Sequence, residues 1–163
     1  MGDLGGHLQA IPFFFEKVEG HLDRPYFIQK LMNAATRYYN SPKYYLIRLS
    51  FLQTSQKRSE RRESIVNVLR LFLYYTDIAT HQIGTFLKNG ALNPLRLKFI
   101  QDKLNMGYKR IWRAICDLRK AGYLIVKYAK KMVGDKWFTV MNIQWSRHFF
   151  RDIGIKHVDL LTA

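Results

Sequence analysis

The apolar positions of this 163-residue chain follow two rhythms, one of three and four residues and one of two. The first marks helices, where residues three and four apart share a face; the second marks strands, where side chains alternate between faces. Tyr26, Phe27, Ile28, Leu31, Met32, Ala35, Tyr38 and Tyr39 fit a helix opened by Pro25 and closed by Asn40, Ser41 and Pro42. Tyr45, Ile47, Leu49 and Phe51 alternate with other residues, which suits a strand, with a helix as the alternative. Ile65, Val68, Leu69, Phe72 and Tyr75 mark one face of a helix expected from about Glu60 to Tyr75. A turn over Thr76 to Thr80 then leads to a short strand from His81 to Phe86.

Asn93 before Pro94 reads as a helix start, because asparagine caps open N–H groups and proline at the first helical position loses nothing. Leu97, Ile100 and Leu104 give that helix its face, and Asn105, Met106 and Gly107 interrupt it. A second helix follows from Tyr108 to about Ala121, with Ile111, Ala114, Ile115 and Leu118 on one side and Gly122 as its stop. Tyr123 to Ala129 and Trp137 to Trp145 read as strands, joined through Val133, Gly134, Asp135 and Lys136 into a hairpin. Ser146 caps a last short helix through His148, Phe149, Phe150 and Ile153, stopped by Gly154. This order predicts a mainly helical α+β fold, a winged helix-turn-helix with an N-terminal helical extension. Residues 1–20 are expected to be a flexible lead-in, and residues 21–163 a single domain, with the helix-turn-helix over about 94–121 and the wing over about 123–145.

Charge narrows the partners. Twenty-seven Lys and Arg against twelve Asp and Glu leave a net charge of +15, an excess that repels itself unless a polyanion neutralises it. No apolar run approaches the roughly 20 residues of a membrane-spanning helix, and the N-terminus has no signal-peptide layout. Cys116 is the only cysteine, so internal disulfides and cysteine-based zinc sites are excluded and a reducing cytoplasm is the expected compartment. Nucleic acid and an anionic membrane are the two partners to separate.

The cations are concentrated. Arg96 to Lys136 holds twelve Lys or Arg and three Asp, a net +9. Projected at about 100° per residue, Lys109, Arg113 and Lys120 fall opposite the apolar face of the second helix, with Arg110 and Asp117 on one flank. An α-helix fits the major groove of DNA and enters by its N-terminal end, so Tyr108, Lys109, Arg110 and Arg113 are the candidate base contacts. Lys127, Lys130, Lys131 and Lys136 on the hairpin suit backbone phosphates or a minor groove. A second cluster, Lys57, Arg58, Arg61 and Arg62, is placed to reach flanking phosphates. Trp112 and Tyr123 are read as core or hinge aromatics. No enzymatic constellation emerges: the five histidines have no metal-ligand spacing, the carboxylates form no two-metal cluster, and no phosphate-binding glycine motif is present. The expected protein is therefore not an enzyme and carries no cofactor.

HLDRPYFIQKLMNAATRYY, ERRESIVNVLRLFLYYTDIATHQIG and LNPLRLKFIQDKLNMGYKRIWRAICDLRKAGYLI, with the hairpin beyond, resemble the RepA-type replication initiators of IncFII-like plasmids over about residues 21 to 155. The resemblance implies an origin-binding protein that recognises duplex plasmid DNA, opens or marks the origin and recruits host replication proteins. It implies a DNA-reading role for Lys109, Arg110 and Arg113 and for the wing over Lys127 to Lys136, and no catalytic residue. A transcription regulator could use the same module, and a protein-interaction module for an acidic partner is the rival from another class. A homodimer through the helix around Tyr26 to Tyr39 is open, with packing on its own domain as that helix's other use.

Overall fold

The computed structural model describes residues 26–42, 44–51 and 59–154. The expected lead-in over 1–20, the helix opener Pro25, and Lys57 and Arg58 lie outside the described residues.

Helix α1 (Tyr26–Arg37) forms where its stripe requires it, burying Ile28, Leu31, Met32, Ala34 and Ala35. It stops two residues before the expected end. Tyr38 and Tyr39 leave the helix through short bonds to the carbonyls of Ala35 and Thr36, and both rings are buried. The strand read at Tyr45 to Phe51 does not form. Leu46 instead takes a left-handed turn (φ 51°) into α2 (Arg48–Phe51), and Leu46 and Leu49, one helical turn apart, are the residues that reach the core. Ile47, which the alternation would bury, is exposed.

Helix α3 (Ser59–Tyr74) is the centre of the fold. Its residues from Ser64 to Leu69 and from Leu71 to Tyr74 are all buried, so it is covered on every side rather than on one face. It packs against α1 on one side and α5 (Tyr108–Lys120) on another.

The stretch read as a helix start at Asn93 and Pro94 is a strand instead. β1 (Gln82–Phe86) turns back through Lys88, Asn89 and Gly90 (φ 82°) into β2 (Leu92–Pro94). The Asn-Gly pair is the hairpin signal that the proline obscured. Proline fits because it sits in an edge strand, where one side of the backbone needs no donor. The two strands approach so closely that a Cβ on Gly84 would lie 2.5 Å from the Asn93 carbonyl oxygen. Helix α4 (Leu97–Leu104) starts three residues later than read, with an extended Arg96 before it and no side-chain cap.

Asn105 ends α4 in a left-handed conformation (φ 50°), and Gly107 stands before α5. Gly122 ends α5 at φ 83°, with its N–H on the Arg119 carbonyl and the Tyr123 N–H on the Leu118 carbonyl. This paired closure satisfies carbonyls that the helix end would otherwise leave open. β3 (Leu124–Val133) and β4 (Lys136–Trp145) then form a hairpin in full register from Leu124 opposite Trp145 to Val133 opposite Lys136. Only Gly134 and Asp135 make the turn, with Gly134 at φ 64° as such a tight reversal needs. The sheet is antiparallel throughout, in the order β2-β1-β4-β3.

Helix α6 (Arg147–Asp152) closes the base of the hairpin. Its expected cap, Ser146, has the extended backbone of a cap, yet its hydroxyl donates to the Gly122 carbonyl. Trp145 stacks on Phe149 (4.0 Å between rings) and donates its indole N–H to Thr76. Tyr123 is a core aromatic, as read: its hydroxyl donates to Asp152 (2.7 Å) and accepts the Arg48 backbone N–H (3.0 Å). The architecture is α+β, and among the described residues no helix is long and apolar enough to cross a membrane.

Candidate nucleic-acid interface

Helix α5 is held to α3 by two polar clamps on the same flank. Near its start, Arg110 donates through Nε and Nη2 to the Ser64 hydroxyl (3.1 and 2.9 Å), with Glu60 3.9 Å away. Two turns further on, Asp117 accepts both nitrogens of the Arg61 fork at 2.8 and 2.6 Å. The flank on which sequence reasoning set Arg110 and Asp117 is therefore an inner seam. Asp117 is buried, the sole acid of a helix with five cations. The Asp117 hydrogen bond and charge hold the Arg61 guanidinium above its ordinary range, against the opposing effect of burial.

This seam engages part of the expected set. Arg61 and Arg62, candidates for flanking phosphates, both make contacts within the fold. Arg62 donates to the Tyr39 carbonyl (3.1 Å) and lies over the Tyr39 ring at 5.4 Å. Burial beside these groups also pushes the Tyr38 hydroxyl well above the usual phenol range. Arg110 belongs to the seam more than to the outer surface. A lone acid bordering an apolar stripe was the available sequence signal for such a pair, but its partner is 56 residues away and no spacing rule names it.

With the seam turned inward, the outer face of α5 keeps Lys109, Arg113, Arg119 and Lys120, all exposed. Tyr108 stands at its N-terminal edge, half-exposed. Trp112 and Cys116 lie along the same face and are partly buried, Trp112 packing against the core as expected. The outer face is thus a cationic surface with one broad aromatic at its margin.

The wing lysines do not form one group. Strand alternation separates them: Lys130 shares the face of Tyr128 and Met132, while Lys127 and Lys136 lie on the opposite face. Lys127, Lys130 and Lys136 are exposed; the side chain of Lys131 lies outside the described residues. Between the hairpin, the start of α4 and α5 is a depression of about 620 Å³ whose lining includes Arg96, Leu97, Trp112, Tyr128, Lys130 and Met141. Among the described residues no cluster of three His, Cys, Asp or Glu could hold a metal ion.

No family model, curated protein or solved structure matches the chain.

Proposed function

We propose that α3, α4, α5 and the β3–β4 hairpin work together as a winged helix that binds duplex DNA in a sequence-specific way. One observation carries the reading: α5 turns its single acid inward, ties Arg110 to Ser64 on the flank, and leaves Lys109, Arg113, Arg119 and Lys120 on its outer face, beside a lysine-bearing hairpin. A surface helix also turns charge outward, so the reading rests on an outer face of α5 that holds cations and no acid, and on the basic hairpin next to it. A helix of this width enters the major groove, where arginine and lysine donate to the O6 and N7 acceptors of guanine. Lys109 and Arg113, one turn apart on the outer face, are the base-edge candidates, with Tyr108 beside them. Lys120 and the wing lysines Lys127 and Lys136 neutralise phosphates, which fix register without reading sequence.

The resemblance to plasmid initiators supports the biological role: binding at a replication origin and recruitment of host replication proteins. The protein acts by binding, with no catalytic step of its own.

Affinity for origin DNA, or for a duplex selected from a random pool, measured against salt tests the binding. Log affinity should fall steeply and linearly with log salt, since each phosphate contact contributes about −0.9 to the slope. Arg113→Ala should cost about 1–3 kcal/mol and relax specificity at one position; Lys120→Ala should weaken all duplexes alike and reduce the slope by about one. A flat slope, or Arg113→Ala with unchanged affinity, refutes the reading. Transformation with an origin plasmid, with and without this gene, separates an initiator from a transcription regulator.

A further inference from the structure

The outer half of the β3–β4 hairpin carries apolar side chains that its own fold covers only in part, Tyr128 in the wall of the depression and Met132 and Trp137 outside it. At its root, Leu124, Ile143 and Trp145 face the core and are buried. Further out the same face continues through Tyr128 opposite Met141 and Met132 opposite Trp137. Met141 still packs against the core, and on either side of the Lys130–Thr139 row the face carries exposed apolar groups: Tyr128 is 52% exposed, Met132 52% and Trp137 62%. A strand face that meets only water becomes polar, so exposed rings recurring along it mark a contact surface.

Charge states what kind of contact. Lys130 stands between Tyr128 and Met132 on this face, and Lys127 and Lys136 lie on the reverse side. Residues 124–145 hold four Lys and one Asp, a net +3, in a chain of net charge +15. A second copy of the chain would cover the apolar groups, but it would set like charges together. Flat rings interleaved with lysine instead match a ligand that alternates flat apolar groups with single negative charges. Nucleic acid has that chemistry, and stacking is indifferent to which base is present.

Spacing selects the unpaired form. The cross-strand rows of Tyr128 and Trp137 are four residues apart along the hairpin, about 13 Å at about 3.3 Å per residue. Bases in a duplex are stacked about 3.4 Å apart and cover one another's faces, so rings set this widely on a broad sheet face have no base to stack on. A single strand with splayed bases offers those faces.

We infer that the outer face of the hairpin is a stacking platform for unpaired bases of single-stranded DNA. Tyr128 and Trp137 each carry a base, and Lys130 neutralises the phosphate between them. This inference rests on the DNA-binding reading above and adds a second mode to it: α5 takes the duplex while the hairpin face takes a separated strand.

The test uses the full chain with two fluorescein-labelled probes, a short oligothymidylate, which stays single-stranded, and a duplex selected from a random pool. The wild-type protein binds both. Tyr128→Ala and Trp137→Ala each lower oligothymidylate affinity about tenfold or more while leaving duplex affinity unchanged, and Trp137→Phe keeps most single-strand binding because a ring remains. Arg113→Ala shows the reverse pattern. Oligothymidylate quenches tryptophan emission in the wild-type protein and quenches it less in Trp137→Phe, a signal that a purely structural role would not move. Duplex binding without oligothymidylate binding overturns the inference and leaves the duplex reading standing. Alanine variants that bind oligothymidylate as before, or that lose both probes equally, overturn it as well. So does self-association abolished by Trp137→Ala in a protein that ignores oligothymidylate. Failure to bind either probe removes the DNA-binding reading itself.

Discussion

Replacing one or the other partner of the Arg61–Asp117 pair should have unequal effects. The Asp117 side chain is 6% exposed and that of Arg61 29%, so the carboxylate is the member locked away from water. Removing one partner of a buried ion pair costs about 3–5 kcal/mol, because the other charge stays buried without compensation. Arg61→Ala leaves the buried carboxylate without that guanidinium, and we expect about 3 kcal/mol, the lower end because one side of the pair meets solvent. Asp117→Ala leaves a guanidinium on a flexible stem that can turn its head to water, and it places a better helix former in α5, so about 1–2 kcal/mol is expected. The double variant should cost less than the sum, by about 1–2 kcal/mol, since no uncompensated charge remains. Urea unfolding measures all three: at about 1–3 kcal/mol per molar of urea, the Arg61→Ala midpoint should fall by about 1–3 M. About 1 M salt should not erase the difference, because buried pairs are poorly screened. Asp117→Ala as costly as Arg61→Ala, or strictly additive costs, would refute the placement of the pair. A DNA readout completes it: Arg61→Ala should leave the salt slope unchanged, whereas a true phosphate contact would lower it by about one.

Tyr123→Phe removes the hydroxyl that joins α2 to α6, leaving the Arg48 N–H without its acceptor and Asp152 with one donor fewer, at a cost of about 2 kcal/mol by urea unfolding. Burial holds the His81 imidazole below its ordinary value, with Asp77 opposing and Arg147 reinforcing. The unfolded chain therefore binds the extra proton first, and this contribution to stability is present above about pH 6.5 and is lost as pH falls from there through the lowered folded value. His81→Asn, which tolerates the positive φ of 62°, should flatten that part of the stability profile between pH 5 and 7. Gly122→Ala should cost about 1 kcal/mol for its left-handed backbone alone, since the nearest atom to the new Cβ is the movable Arg48 Nη1 at 3.6 Å. Gly84→Ala should cost more and loosen the β1–β2 edge, because there the obstacle is backbone; thermal melts that rank the two in the opposite order would contradict the close approach.

What the sequence determined by itself is what depends on near neighbours. Helical stripes place α1, α3 and α5, Gly122 stops α5, and the alternation around Gly134 and Asp135 builds the hairpin, because each rests on residues within a few positions of one another. Local reading left Tyr45 to Phe51 open between strand and helix, because so short an alternation does not separate them, and one turn of helix forms at Arg48–Phe51. It failed at Asn93 and Pro94, which make a good cap in isolation but serve an edge strand once Asn89 and Gly90 reverse the chain. The cationic face of α5 was legible from its angular distribution. Which cations belong to that face was decided only by tertiary packing: Arg61 meets an acid 56 residues away, and Arg110 meets a serine 46 residues away. The same holds for the wing, whose four lysines are neighbours in sequence, yet pleating sends Lys130 to the side of Tyr128 and Met132 and sends Lys127 and Lys136 to the other. A sequence records how much charge a segment carries; the direction in which each charge points follows from which element lies behind it.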